Sequence, residues 1–181
     1  RWVNTWVEEN DVISYSQFGF RKGRSTVDAI FVLNAVIQHI LSSKVKLNCA
    51  FIDLKKAFDC VYLNGVWFKL YKMGVKGKKI RIIRDMYSNV KTCVRGCNSY
   101  SDFFECAVGL KQGEVISPIM FSLFLEDLEL FLQGNHDCGL SLEEITFILM
   151  LFADEIVILA NTPEDLQKSL NLLSTYCNKW K

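Results

Sequence analysis

Residues 147–160, FILMLFADEIVILA, decide the fold class of this chain. Two apolar runs, Phe147–Ala153 and Ile156–Ala160, stand on either side of an acidic pair, Asp154 and Glu155. Apolar runs of this length around a short polar break are typical of two buried strands joined by a tight turn. The stretch therefore predicts a β-hairpin with both acids in its turn.

The run Cys49–Ile52 predicts a third strand, and it also ends at a carboxylate, Asp53. Like charges at the rim of an apolar sheet repel and lose solvation, and a shared divalent cation relieves both costs. Mg²⁺ takes few carboxylates and leaves room for phosphate oxygens, so acids that converge from neighbouring strands suit two-metal phosphoryl transfer. From spacing alone, a solvated acidic turn explains the Asp154–Glu155 pair equally well.

Helix caps and hydrophobic periodicity predict the remaining elements. Ser25 and Asp28 resemble a capping box for a helix that runs to about Ser42. The other expected elements are a helix capped by Asp59 that closes at Met73 and Gly74, a helix that begins within residues 76–84, a hairpin over residues 92–108, a single helix capped by Ser117 that runs through Leu132, and a helix that starts at Thr162 and Pro163. Together they predict one α+β domain, a short and mainly antiparallel sheet with packed helices.

The net charge of +1 hides an uneven distribution of charged residues. Residues 1–111 carry 18 basic and 9 acidic side chains, whereas residues 112–167 carry 11 acidic and no basic ones. Nine basic residues and one acid lie between Lys69 and Arg95, which suits a phosphate backbone or the solvated faces of two helices. The acids outside the two predicted sites are interpreted as a solvated face turned away from nucleic acid: Glu126, Asp127, Glu129, Asp137, Glu143 and Glu144.

Composition excludes several classes of protein. With 181 residues, 13% aromatics and two prolines, the chain is unlike a disordered one. The longest apolar stretch, residues 145–153, is too short for a bilayer, which needs about 20 residues, so no membrane contact is expected. Seven cysteines, an odd number without a signal peptide, favour free thiols inside the cell, in cytoplasm or nucleus. The spacing of Cys93, Cys97, His136 and Cys138 fits no common zinc site.

Four motifs in a fixed order make the chemistry more specific. They are residues 17–26 (QFGFRKGRST), 51–59 (FIDLKKAFD), 109–118 (GLKQGEVISP) and 152–155 (FADE). Together they resemble the reverse transcriptase domain of non-LTR (LINE-type) retrotransposons, over nearly the whole chain. The resemblance implies a polymerase palm over about residues 48–181, part of the fingers over about residues 1–47, and no thumb.

The resemblance also implies roles for individual residues. Asp53 and Asp154 look like the main ligands of two Mg²⁺ ions, with Glu155 at the third acidic position and the Leu54 carbonyl facing a metal. Phe58 resembles the aromatic gate that disfavours a ribose 2′-hydroxyl. Four further residues are implied to line the nucleotide pocket or to approach template or triphosphate: Gln112 and Gly113 for the pocket, Arg21 and Arg24 for the template side.

The function implied by the resemblance is RNA-directed DNA synthesis, a nucleotidyl transfer from a dNTP to a primer 3′-hydroxyl. The partners would be an RNA template, a DNA primer and dNTPs, and a longer protein could add an endonuclease domain. Most relatives have aspartate where this chain has Glu155, and one extra methylene moves a carboxylate by about 1.5 Å. A weakened enzyme, one that prefers Mn²⁺, and a decayed copy that only binds nucleic acid are all compatible with that change.

Two further alternatives come from other classes of protein. A template-independent nucleotidyl enzyme shares the palm topology and could use the same acids, but it has no use for the motifs at residues 17–26 and 109–118. A protein-interaction domain would leave the acids at 154 and 155 unexplained.

Overall fold

A computed structural model of the chain describes residues 2–43, 46–135, 139–142 and 145–180. Within these residues the helices are α1 (Trp2–Glu9), α2 (Thr26–Ser42), α3 (Leu63–Lys72), α4 (Lys78–Tyr87), α5 (Ser117–Leu125), α6 (Leu128–Asn135) and α7 (Pro163–Lys179). The strands are β1 (Asn48–Asp53), β2 (Lys91–Thr92), β3 (Phe104–Glu105), β4 (Leu140–Leu142), β5 (Ile145–Phe147), β6 (Leu149–Phe152) and β7 (Glu155–Ala160). The interpretations made for His136, Asp137, Cys138, Glu143 and Glu144 fall outside the described residues.

The central sheet has three antiparallel strands in the order β1-β7-β6. Strand β7 lies in the middle, so the predicted hairpin β6-β7 and the predicted third strand β1 share one sheet. Two smaller pairs, β2-β3 and β4-β5, are also antiparallel. The mixed architecture of helices on a short antiparallel sheet confirms the predicted α+β class.

The two faces of the sheet meet different parts of the molecule. Ile156 and Ile158 are fully buried in the main core, which also contains Met120 and Leu128 from the helical layer. On the other face, Leu159 packs in a second cluster with residues of α2, among them Val36 and Ile40. Alternate residues of a strand point to opposite faces of the sheet. The carboxyl-terminal half of α2 therefore covers the face that contains Leu159, at the end of the sheet where Leu159 lies.

Two of the predicted helix starts are confirmed by their side-chain caps. The Ser25 hydroxyl accepts a hydrogen bond from the Asp28 N–H at 3.3 Å, and the Asp28 carboxylate accepts one from the Ser25 N–H at 2.7 Å. Thr162 likewise accepts a hydrogen bond from the Asp165 N–H at 3.1 Å, ahead of α7. Local sequence determines these starts because the capping groups lie within four residues.

Three predictions about the helices are wrong. Helix α3 begins at Leu63, four residues after Asp59, and none of the described residues caps it with a side chain. Ser117 lies inside α5 rather than ahead of it, and its hydroxyl donates to the Lys111 carbonyl at 2.6 Å. The single helix expected through Leu132 is two helices, α5 and α6. Ser117 also bonds to the Tyr87 hydroxyl at 3.1 Å, and Asp59 bonds to Gln112, so partners outside the helices use the polar groups that a local pattern assigns to caps.

Glu126, Asp127 and Glu129 are not the solvated face that the sequence suggested. The Glu126 carboxylate accepts a hydrogen bond from the Ser14 N–H at 2.8 Å, and Glu129 accepts from the hydroxyls of Ser14 and Ser16 at 2.5 Å. Burial raises the pKa of Glu126 to about 7. Glu126 and Glu129 thus anchor the loop that precedes the first sequence motif, whereas the Asp127 carboxylate bonds to Lys69 and Tyr176.

The sequence interpretation of Lys69 is also wrong, because this residue is buried and does not belong to a basic surface. Its ammonium donates to the Phe124 carbonyl, to the Asp127 carboxylate and to the Tyr176 hydroxyl, at 2.5–2.6 Å. Burial lowers the pKa of Lys69 to about 8. The other eight basic residues between Lys72 and Arg95 are exposed, as the interpretation required.

Two further features concern the helices and the cysteines. In the part of the chain that the structure describes, no helix combines the length and apolar character needed to cross a bilayer. No disulfide bond is formed among the cysteines of that part, and four of them, Cys49, Cys60, Cys97 and Cys106, are exposed.

Candidate active site

The acidic hairpin turn contains two residues, Ala153 and Asp154. Phe152 pairs with Glu155, so Glu155 is the first residue of β7 and not part of the turn, which corrects the sequence interpretation. Ala153 has a φ of 58°, the left-handed conformation that a two-residue hairpin loop requires and glycine usually supplies. The register places the turn one residue earlier than the two acids suggest.

Asp53 and Glu155 lie directly opposite each other on neighbouring strands. The Leu54 N–H donates to the Asp154 carbonyl at 3.2 Å, which makes Asp53 and Glu155 a non-hydrogen-bonded pair. In such pairs the Cβ atoms are about 4.5–5.5 Å apart, and the side chains share one face of the sheet. The structure thus brings Asp53, Asp154 and Glu155 to one end of the sheet from 101 residues of sequence separation.

The donor set fits a divalent cation in its chemistry. Carboxylate oxygens of Asp53 and Glu155 are the hard ligands that Mg²⁺ prefers, and Mg²⁺ usually takes only one or two carboxylates alongside phosphate oxygens. Within the described residues, no group of three or more acidic, histidine or cysteine side chains is already arranged around a common point. The Leu54 carbonyl accepts a hydrogen bond from the Ala57 N–H at 3.1 Å and retains a second lone pair.

A cavity of about 390 Å³ lies between the amino-terminal half of α2 and the sheet. Asp53 and Glu155 line it, together with apolar side chains that include Ile30, Phe51 and Met150. Phe51 is 69% exposed and Ile30 66% exposed, so the apolar walls are open to solvent. The two carboxylates therefore face a cleft that is accessible from solvent.

Phe58 is held by other aromatic rings. Its ring stacks on buried Phe121, with centroids 4.7 Å apart, and meets the edge of Phe20 at 6.4 Å. Phe58 also lines a second open cavity of about 330 Å³ with Gln112 and Gly113. The structure thus brings together three residues that the resemblance assigned to nucleotide binding, while the stack on Phe121 anchors Phe58 to the core.

The segment that carries Gln112 is docked on Asp59, a contact that the sequence interpretation missed. The Gln112 amide donates to the Asp59 carboxylate at 2.7 Å. Gly109 has a φ of 88°, and a Cβ there would lie 2.6 Å from the Asp59 carbonyl oxygen. The place of Asp59 as the last residue of the second motif was the available signal for a role other than capping.

Arg21 and Arg24 point into their own loop. The Arg21 guanidinium donates to the carbonyls of Ile13 and Ser14 at 3.0 and 2.9 Å. Arg24 donates to the Tyr15 carbonyl at 2.5 Å and lies over the Tyr15 and Phe18 rings, and burial lowers its pKa. Both side chains shape the first motif, and their hydrogen bonds in this structure are intramolecular.

Gln17 is a further residue at the site that received no role from the sequence. It is 1% exposed and forms a parallel bridge with Leu151 of the hairpin. Its side-chain oxygen accepts hydrogen bonds from the N–H groups of Gly19 at 2.8 Å and Ala153 at 3.3 Å. The first motif therefore touches the acidic turn directly.

Comparison with known proteins gives one family and a set of relatives from mobile elements. The family described as "Reverse transcriptase (RNA-dependent DNA polymerase)" matches residues 2–181. The chain is 28% identical over 98% of its length to the "Probable RNA-directed DNA polymerase from transposon BS" of Drosophila melanogaster, and 26% identical over 98% to the "RNA-directed DNA polymerase from mobile element jockey" of Drosophila funebris. It spans about a fifth of the length of each, 20% and 19%.

Solved structures show the same fold at lower identity. Apo telomerase from Candida tropicalis, truncated from its C-terminal domain, matches 98% of this chain with a TM-score of 0.66 and 17% identity. The chain covers 36% of that protein. These findings confirm the resemblance to the reverse transcriptase domain of non-LTR retrotransposons that the four motifs suggested. On the family match over residues 2–181, the chain belongs to the reverse transcriptase (RNA-dependent DNA polymerase) family.

Proposed function

We propose that this chain supplies the catalytic acids and the nucleotide pocket of an RNA-directed DNA polymerase. The reaction joins a primer 3′-oxygen to the α-phosphorus of a dNTP, breaks the bond to pyrophosphate and releases the proton of the hydroxyl. The observation that carries the proposal is the register that sets Asp53 opposite Glu155, with Asp154 in the adjoining turn. In this arrangement, residues about 48–181 act as the palm and residues about 1–47 as part of the fingers.

Asp53, Asp154 and Glu155, with the Leu54 carbonyl, would hold two divalent ions. Bound there, the ions would lower the pKa of the primer hydroxyl and neutralise the pyrophosphate as it leaves. The protein contributes oxygen ligands on a rigid antiparallel sheet, whose cross-strand pairing limits how far the carboxylates can separate. Asp53 and Glu155 open on the cleft beneath α2, where the reacting phosphate would enter.

Phe58, Gln112 and Gly113 form the wall that selects the nucleotide. The Phe58 ring is fixed by its stack on Phe121, so it would meet a ribose 2′-hydroxyl as a rigid obstacle. Gly113, at a φ of 81° and with open space where a Cβ would lie, leaves the backbone approachable. Template and primer would follow the exposed basic residues between Lys72 and Arg95, and Arg21 and Arg24 would shape the loop of the first motif.

Metal binding by this chain is the first test. Mn²⁺, which is followed by its electron paramagnetic resonance signal, should bind to the parent protein, and Asp53→Asn or Asp154→Asn should weaken binding about tenfold or more. Asp85→Asn, which removes one exposed carboxylate outside the motifs, is the matched control and should leave binding unchanged. Equal affinities in all four proteins would overturn the assignment of the acids.

Primer extension is the second test. An oligo(dT) primer on poly(rA) should be extended with dTTP, and Asp154→Asn should abolish extension while the folded structure persists. To supply surrounding domains, the same assay is run with residues 2–181 in place of the matching segment of the jockey polymerase. A parent hybrid that binds primer-template but extends nothing, even with Mn²⁺, would support a decayed copy that only binds nucleic acid.

A further inference from the structure

The hairpin that carries Asp154 is hydrogen-bonded on one side to residues 16–18, at the start of the first motif. Residues 16 and 18 bracket the hairpin through the backbone: the Leu151 N–H donates to the Ser16 carbonyl, and the Phe18 N–H donates to the Leu151 carbonyl, both at 2.8 Å. Between them, the Gln17 side-chain oxygen accepts the Ala153 N–H at 3.3 Å. The hairpin is therefore bound at its strand and at its turn by three consecutive residues.

The orientation of the Gln17 amide follows from its partners. Both groups that approach one end of it, the N–H groups of Gly19 and Ala153, are donors, so that end must be the carbonyl oxygen. The Gln17 nitrogen is buried and has no hydrogen-bond partner among the residues that the structure describes. An unsatisfied buried N–H group lowers the stability of the fold, so such a group requires an explanation. Here the explanation is the other end of the same amide, whose oxygen accepts the Ala153 N–H of the turn.

Gly19 shows how tightly the first motif and the turn approach each other. A Cβ at this position would lie 2.4 Å from the Ala153 nitrogen and 3.1 Å from the Phe152 carbonyl carbon. Ala153 is 6% exposed and has positive φ, a conformation that is unfavourable for a non-glycine residue and needs support from its surroundings. The Gln17 hydrogen bond and the close contact at Gly19 provide that support.

We propose that Gln17 is a positioning residue for Asp154: its side-chain oxygen holds the Ala153 N–H and thereby sets the backbone of the next residue in the turn. On the other side of the turn, the Asp154 carbonyl accepts the Leu54 N–H at 3.2 Å. The turn is thus fixed between the first and second motifs. The inference rests on the proposed function in one respect, that Asp154 is a metal-binding acid.

Amide hydrogen exchange, followed by NMR on the whole 181-residue chain, tests the positioning without any metal. Gln17→Met keeps the side-chain length but removes the strong acceptor, and it should speed exchange of the Ala153 amide by roughly tenfold. The Leu54 amide, which Gln17 does not touch, should accelerate as well because its acceptor is the Asp154 carbonyl. Gln17→Glu, which restores an acceptor oxygen, should return both amides to within about threefold of the parent.

Ser16→Ala is the matched control, because the Ser16 hydroxyl donates to Glu129 and not to the turn. It should leave both amides unchanged. If Gln17→Met does not fold, Gln17→Asn serves instead, since a side chain shorter by one methylene withdraws the acceptor by about 1.5 Å. Acceleration at Ala153 alone, or at neither amide, overturns the proposal.

Mn²⁺ affinity separates this inference from the proposed function. Gln17→Met should weaken Mn²⁺ binding about threefold to tenfold, and Gln17→Glu should restore it in part. If Gln17→Met speeds amide exchange but leaves the Mn²⁺ affinity unchanged, Gln17 holds the turn without affecting metal binding. That result overturns the part of the inference that concerns metal binding by Asp154. If the parent protein binds no Mn²⁺ through Asp53 and Asp154, the proposed function fails, and the exchange data still decide whether Gln17 positions the turn.

Discussion

At the scale of single residues, the candidate site depends on which acid stands opposite which. Glu155 pairs with Asp53 across the sheet, and Asp154 occupies the turn beside it. Side chains that stand opposite each other share one face of the sheet, so the length of the side chain at 155 bears directly on the distance between the Asp53 and Glu155 carboxylates. Asp154 reaches the same end of the sheet through the turn, where Ala153 and Gln17 control its backbone.

Shortening Glu155 should improve the fit to Mg²⁺. Glu155→Asp withdraws the carboxylate by about 1.5 Å, and Mg²⁺ requires near-ideal octahedral geometry, whereas Mn²⁺ is more tolerant. We expect Mg²⁺ to displace bound Mn²⁺ at severalfold lower concentration in the variant, measured by electron paramagnetic resonance. Glu164→Asp, an exposed acid of α7, is the control, and the same displacement curve in both variants would remove the geometric argument.

Glu126 should make stability depend on pH near neutrality. Its pKa rises from an ordinary 4.5 to about 7 in the folded protein, so the folded state holds this proton more tightly than the unfolded state does. The stabilisation that protonated Glu126 contributes to the free energy of unfolding is fully present below about pH 4.5 and is lost as the pH rises through about 7. Glu126→Gln, whose amide oxygen can still accept from Ser14, should raise the free energy of unfolding at pH 8 by about 1–2 kcal/mol.

Urea unfolding at pH 8 and pH 4.5 measures this effect. The gain from Glu126→Gln should largely disappear at the lower pH, because Glu126 is then protonated in the folded state and about half protonated in the unfolded state. Glu164→Gln serves as the exposed control. A gain of the same size at both pH values would show that the substitution acts through packing and not through titration.

At the scale of elements, the helical layer is joined by one buried cation. Lys69 of α3 bonds to the carboxyl-terminal carbonyl region of α5 at Phe124, to Asp127 before α6, and to Tyr176 of α7. Its ammonium also lies 4.1 Å from the centroid of the Trp180 ring. A charge in this position is stable because hydrogen bonds and aromatic faces surround it. It joins α3, α5, the residues between α5 and α6, and α7.

Removing that cation should destabilise the protein. Lys69→Met keeps the apolar stem but removes the cation that pairs with Asp127 and the donor to Phe124 and Tyr176, and we expect a loss of about 2–3 kcal/mol in the free energy of unfolding. Lys72→Met, one turn later and exposed over the Phe68 ring, is the matched control and should cost less than about 0.5 kcal/mol. Equal unfolding midpoints in urea for the two variants would contradict the role assigned to Lys69.

At the scale of the whole molecule, the charges divide by position. The exposed basic residues of α3, α4 and the following hairpin come before the acidic segment at residues 112–167. Three acids of that segment make structural contacts: Glu126 with Ser14, Glu129 with Ser14 and Ser16, and Asp127 with Lys69. The net charge of +1 therefore gives no measure of affinity for nucleic acid. The distribution of exposed charge does, because phosphate binding releases counterions only where cations are accessible.

Exposed arginines of α4 should contribute to RNA binding through salt-dependent contacts. Changing Arg81 and Arg84 together to Gln should lower affinity for single-stranded RNA and reduce the slope of log K against log salt concentration by about 1.4, the value for two lost phosphate contacts. The control changes Lys168 and Lys179 of α7 to Gln, which removes the same charge elsewhere. Fluorescence anisotropy over a salt series measures both, and identical slopes would place the RNA away from α4.

The parts of the fold that the sequence predicted are those with local causes. The capping box at Ser25, the strand ending at Asp53 and the hairpin β6-β7 follow from groups a few residues apart. The predictions that failed, such as the caps at Asp59 and Ser117, concern polar side chains that bond to residues 53 and 30 positions away, Gln112 and Tyr87. A polar residue near a helix start has the same local pattern whether it caps the helix or bonds elsewhere.

The sequence by itself determined the family, the strand-ending acids and the order of the motifs, because these depend on residue identity and spacing. Only the tertiary structure decided that Glu155 leaves the turn and stands opposite Asp53, that Lys69 is buried, and that Gln17 meets the turn at Ala153. The physical reason is that strand register and long-range hydrogen bonds are fixed by packing of the whole chain. A shift of one residue in register would move every side chain of β7 to the opposite face.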